Sequence, residues 1–146
     1  MYKVIVVGTD GSDRAGIAVA HAIALAKMSG AQLHAVQVVH PGVNSGFSDS
    51  SGGQAEIETL RAQVEATRSK VLAEAKESGV NAEVHNPDGA DVADALIDVA
   101  ETVQADLIVI GNRGMSSMTR VLLGNVPNTV THRSPCSVLI VDTEPA

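Results

Sequence analysis

Thiols and aromatic rings are nearly missing from this chain of 146 residues, which has one cysteine (Cys136), no tryptophan, and only Tyr2 and Phe47 as aromatics. A single cysteine excludes an internal disulfide and any metal site built on paired thiolates. In its apolar surroundings it reads as a buried, inert thiol. With so few rings the core has to come from Val, Ile, Leu, Ala and Met, a mix that suits parallel strands covered on both faces. No apolar run approaches the roughly 20 residues that a membrane span needs. The opening run of residues 1–8 is too short for a secretory leader and ends in Thr9-Asp10-Gly11 instead of a cleavage site, so it reads as a first core strand. Positive charge is also scarce. The chain carries 10 Lys and Arg against 17 Asp and Glu, a formal net charge of −7, and that field opposes nucleic acid and anionic membranes as partners. The expected location is the cytoplasm.

What is there is apolar and ordered in blocks. Hydrophobic residues make up 45% of the chain, enough for one domain of this length to bury a core. Strand-like runs at 4–7, 32–39, 80–85, 105–110 and 137–141 alternate with helical patterns at 12–29, 55–78, 91–103 and from Asn125 onward. The first helix has Ser12 or Asp13 as its N-cap, Gly30 just past its end, and an apolar stripe through Val19, Ala20, Ile23, Ala24 and Met28. Residues 42–53 are rich in Ser and Gly and read as a loop. Such alternation predicts one doubly wound α/β domain over 1–146, a five-stranded parallel sheet with helices on both faces.

In an open sheet of that kind, ligands bind beyond the carboxyl ends of the strands, where the strand order reverses. The turns that reach this edge are Gly8-Thr9-Asp10-Gly11-Ser12, Val39-His40-Pro41, Pro87-Asp88-Gly89 and Gly111-Asn112-Arg113-Gly114. The last of them continues through nine residues to Gly124-Asn125, where a helix restarts. Glycine amides there can form an anion nest, and the helix start adds free N–H groups and a positive dipole end. Arg113 is then a phosphate partner or an ordinary solvated charge; Ser116 and Ser117 read first as helix-start residues, and Arg120, His132 and Arg133 as surface charge. The five histidines are scattered, with no i, i+4 pair and no carboxylate or thiol at ligand spacing, so no metal site is expected. Walker, dinucleotide and esterase-type motifs are absent.

The pattern G-x2-G-x9-G followed by a small polar residue, after the fourth strand, resembles the nucleotide-binding signature of the universal stress protein family. The opening V-x-V-G-T-D-G-S, the run G-A-D-V-A-D-A-L-I at 89–97, A-D-L-I-V-I-G-N-R-G and the closing S-P-C-S-V-L-I-V agree with it along essentially the whole chain. The resemblance implies the adenine nucleotide alpha hydrolase-like fold and a regulatory role in stress. It also implies binding of ATP, accompanied by Mg2+, or of a related adenine nucleotide. Carried over by position, Thr9, Asp10 and Ser12 contact the nucleotide, and Val38 or Val39 lies on the adenine. Gly111, Arg113 and Gly114 border ribose and phosphates, and Gly124, Asn125 and Val126 close on the phosphates. Asp10 could equally cap the first helix. Asn125 replaces the family's usual Ser or Thr, which makes cyclic AMP an alternative ligand.

No general base is evident, so any hydrolysis is expected to be slow. A third reading is an interaction protein that needs no nucleotide. The last strand, 136–141, is apolar and unguarded, and such an edge pairs with another chain. The family commonly pairs it across a two-fold axis, which predicts a homodimer.

Overall fold

The computed structural model describes residues 1–39, 43, 53–89, 91–112 and 125–144. The chain runs β1 (Val4–Gly8), α1 (Asp13–Ser29), β2 (Gln32–Val36), α2 (Gly53–Glu77), β3 (Ala82–His85), α3 (Val92–Val103), β4 (Leu107–Gly111), α4 (Asn125–Arg133) and β5 (Ser137–Val141). The five strands form one parallel sheet in the order β3-β2-β1-β4-β5. This is the doubly wound architecture that the alternating pattern predicts. Residues 44–52 of the expected 42–53 loop, His40 to Gly42, and the stretch 113–124 lie outside the described residues.

Two apolar layers follow from the period of two along each strand. Ile5, Val7, Leu33, Ala35, Val84, Leu107 and Val109 turn to one face and pack under α1 and α2. Val6, Val36, Ile108 and Ile110 turn to the other, against Ala93, Leu96 and Ala100 of α3 and Val130 of α4. Because both faces are covered, β4 is buried along its whole length.

The helix ends obey local rules. Ser12 caps α1 through its hydroxyl, which accepts from the Ala15 amide at 3.1 Å, and Gly30 closes the helix in a left-handed conformation. Asp91 caps α3 in the same way, accepting from Asp94 N at 3.2 Å. The face that α1 buries holds Val19 and Ile23 of the expected stripe but not its other three members. Ala15, Ala18, Val19, Ala22, Ile23 and Ala26 are buried, whereas Ala20 and Ala24 are exposed and Met28 is 82% exposed. Alanines at 15, 18, 22 and 26 let the helix lie close on the sheet, so the buried face extends from Val19 and Ile23 toward those alanines and away from Ala20, Ala24 and Met28. The second strand is also shorter than the expected 32–39. Its regular ladder stops at Val36, and the chain rejoins the sheet only through a bridge between Val39 and Asp88.

Asp106 fixes the amino edge of the sheet. Its carboxylate accepts from Lys3 N at 2.9 Å and Val4 N at 3.2 Å, tying β1 to the start of β4.

Candidate functional site

The chain passes from β1 outward through β2 to β3, then crosses back to β4 on the other side of β1. The order therefore reverses beside β1, and its carboxyl end is the place where an open sheet leaves a crevice. A cleft of about 540 Å³ lies there, lined by Asp10, Gly11 and Ser12 after β1, by Gln37, Val38 and Val39 after β2, and by Val43. The α2 residues Leu60, Gln63, Val64, Ala66 and Thr67 form its roof. Its size falls among those of small-molecule sites. A slot of about 140 Å³ continues from it between α1 and α2, past Gly16, Val19, Lys70 and Glu74.

The roof is anchored at two points. Arg61 donates from Nε (3.1 Å) and Nη2 (2.8 Å) to the carbonyl of Val43, and Arg68 Nη1 donates to Val84 O at 3.2 Å. The floor is a pair of nested turns. Buried Thr9 accepts the Gly11 amide on Oγ1 at 3.1 Å, and exposed Asp10 accepts the Ser12 amide on Oδ1 at 2.9 Å. Asp10 thus stabilises the approach to α1, while the cap itself is Ser12.

Of the residues expected to bind ligand, Asp10, Ser12, Val38 and Val39 line the cleft together, and Thr9 lines the slot beside it. Val39 is buried and held on both sides, its amide donating to Pro87 O and its carbonyl accepting from Gly89 N. Gly111 ends β4, buried, with Thr143 packed against it: a Cβ there would lie 2.9 Å from Thr143 Cγ2. Asn125 opens α4, exposed, and Val126 follows it half-buried. Arg113, Gly114 and Gly124 are outside the described residues.

Two features escaped the reading of the sequence. Gln37 lines the cleft, is 7% exposed, and its Oε1 is buried with no hydrogen-bond partner among the described residues. A buried acceptor left unpaired costs on the order of 1–3 kcal/mol, so a ligand that brought a donor to it would gain correspondingly. The signal was positional: Gln37 is the first residue past the ladder of β2, where the chain turns to the ligand edge. The second is a cluster. His34, Glu83 and His85 bring their donor atoms within 4.8 Å of one another, although no sequence spacing suggested a metal site.

Comparison with known proteins bears on the cleft. The sequence profile of the universal stress protein family matches residues 1–142. The chain belongs to the universal stress protein family. A universal stress protein of Methanocaldococcus jannaschii is 35% identical over 141 residues, which cover 97% of this chain and 82% of the relative. A crystal structure of a universal stress protein in complex with cAMP is 36% identical, with a TM-score of 0.75 and 98% of both chains covered. The universal stress protein of Archaeoglobus fulgidus in complex with dAMP is 26% identical, with a TM-score of 0.71, covering 97% of this chain and 98% of that one. Among the described residues of this universal stress protein, no helix is long and apolar enough to cross a membrane.

Proposed function

We propose that this universal stress protein binds an adenine nucleotide in the cleft under α2, with the base inside and the phosphates directed toward the end of β4 and the start of α4. The observation that carries the reading is the unpaired Oε1 of Gln37 in the cleft wall. Adenine's exocyclic amine is a donor that satisfies such an acceptor, and Val38, Val39, Val43, Leu60 and Val64 supply an apolar wall for a flat ring. Solved relatives in complex with cAMP and with dAMP support the adenine class. Asp10 and Ser12 stand where the ribose would lie. Arg113, Gly114, Gly124, Asn125 and Val126 surround the phosphates, with Mg2+ accompanying ATP, in a role that is regulatory in a cytoplasmic homodimer. Cyclic AMP is the second ligand, favoured by the 36% identity to the relative solved with it.

Calorimetric titration of nucleotide-stripped protein with ATP plus Mg2+, and with cyclic AMP in parallel, tests this. Gln37→Leu should weaken adenine nucleotides by about threefold to tenfold, the net value of one hydrogen bond. A purine nucleotide lacking the 6-amino group should lose the same factor with the wild type and nothing further with the variant. Silence with both nucleotides, or equal affinity in wild type and variant, would sink the assignment.

A further inference from the structure

We propose that His34, Glu83 and His85 form a binding site for a divalent first-row transition-metal ion of the zinc class, on the sheet face opposite the α2-covered cleft. The parallel register sets His34 beside Glu83, and Val36 beside His85. Alternation along β3 then turns Glu83 and His85 to the same side as His34, so all three meet around one point. His34 Nδ1 lies 2.9 Å from His85 Nε2 and 3.4 Å from Glu83 Oε2, and His85 Nε2 lies 3.9 Å from that oxygen. A circle through three atoms so spaced has a radius of about 2.0 Å, the bond length zinc takes to imidazole nitrogen and carboxylate oxygen. One ion can therefore touch all three donors with little movement.

The surroundings fit a held ion better than a stray contact. The His34 side chain is 5% exposed, His85 31% and Glu83 62%, so the site has a fixed floor and a solvent-facing side where a further ligand can attach. Neutral imidazole is the form that ligates. Without an ion, the 2.9 Å contact needs a proton on one of the two facing nitrogens. On binding, that proton moves to the other nitrogen of its own ring, and no charge need be expelled. Two imidazoles and one carboxylate suit zinc, nickel or copper, whereas magnesium and calcium prefer oxygen ligands throughout.

The test uses the full chain, treated with chelator and titrated with Zn2+ by calorimetry and with Co2+ by visible absorption. One ion per chain is expected, with Co2+ bands of a nitrogen and oxygen site. His85→Ala and Glu83→Gln, both at solvent-reaching positions, should each weaken binding at least tenfold. Zinc should raise the unfolding midpoint of the wild type and leave that of His85→Ala unmoved. Absence of stoichiometric uptake, or uptake by His85→Ala equal to that of the wild type, would overturn the site. Because none of the three residues lines the cleft, the result stands whichever way the nucleotide titration falls.

Discussion

Gly11 and Thr67 meet where the turn after β1 passes beneath α2: a Cβ on Gly11 would lie 2.5 Å from Thr67 Oγ1. Gly11 also has a φ of +82°, a conformation that costs an L-residue roughly 1–2 kcal/mol. Thr67 is held in place because its hydroxyl donates to Gln63 O at 3.1 Å. Gly11→Ala should therefore lower stability by about 2 kcal/mol or more, the strain and the clash together. Adding Thr67→Ala should recover the clash and leave the backbone strain. Urea unfolding midpoints measure both; complete recovery in the double variant would show that the turn carries no strain.

Gly111 tests whether a glycine of the resemblance motif serves the ligand or the fold. Its missing side chain admits Thr143 Cγ2, and Thr143 in turn donates from N and Oγ1 to Asn112 Oδ1, each at 3.1 Å. Gly111→Ala should cost about 1–3 kcal/mol through overpacking. Thr143→Ser removes the obstructing methyl and keeps the hydroxyl, so Gly111→Ala/Thr143→Ser should be more stable than Gly111→Ala alone. Thermal unfolding decides. If the double variant is no better, the strand end is crowded by something other than Thr143.

The fold was legible because its signals are local and repeated: β-branched runs, Ser and Asp before helices, and Gly after them. The parallel sheet and its two covered faces follow from that alternation, whereas the order β3-β2-β1-β4-β5 is not fixed by it. The α1 stripe was legible at Val19 and Ile23 but not at its alanines, because alanine carries little hydrophobic weight and does not by itself mark which side packs on the sheet. The cleft was legible in part. Asp10, Ser12, Val38 and Val39 could be placed at the ligand edge because strand ends point there. Gln37 was missed because an unpaired oxygen is a property of surroundings, not of sequence. The convergence of His34, Glu83 and His85 was not legible for a related reason. Helical i, i+4 pairs are visible in a sequence, whereas a strand brings Glu83 and His85 together at i, i+2, and His34 reaches them only through the β2–β3 register.

The exposed edge of β5 carries a prediction about assembly. β5 is terminal in the sheet order and pairs only with β4 among the described strands, and Leu139 on it is 36% exposed. An apolar, unguarded edge invites pairing with a second copy. The wild type is expected to sediment as a dimer and Leu139→Lys as a monomer at micromolar concentration, because a lysine on an edge opposes pairing. Sedimentation velocity reads the change. Monomer in both forms would remove the edge as an interface.

Cys136 lies half-buried at the start of β5, against the α3 and α4 layer. Burial pushes its thiol up, a Ser134 hydroxyl 3.7 Å from Sγ draws it partly back, and the charge of Asp106 adds to the rise. Since the thiolate is the nucleophile, the folded protein should react with iodoacetamide more slowly at pH 8 than the same chain in urea. The gap should narrow as pH climbs past the ordinary thiol range, because the folded thiol then ionises as well. Asp106→Asn should speed the folded reaction slightly by removing one of the causes of the rise, provided the variant keeps the Val4 contact. Mass spectrometry of alkylated protein against time gives the rates. Equal rates in folded and unfolded chains at pH 8 would mean that Cys136 is neither shielded nor raised.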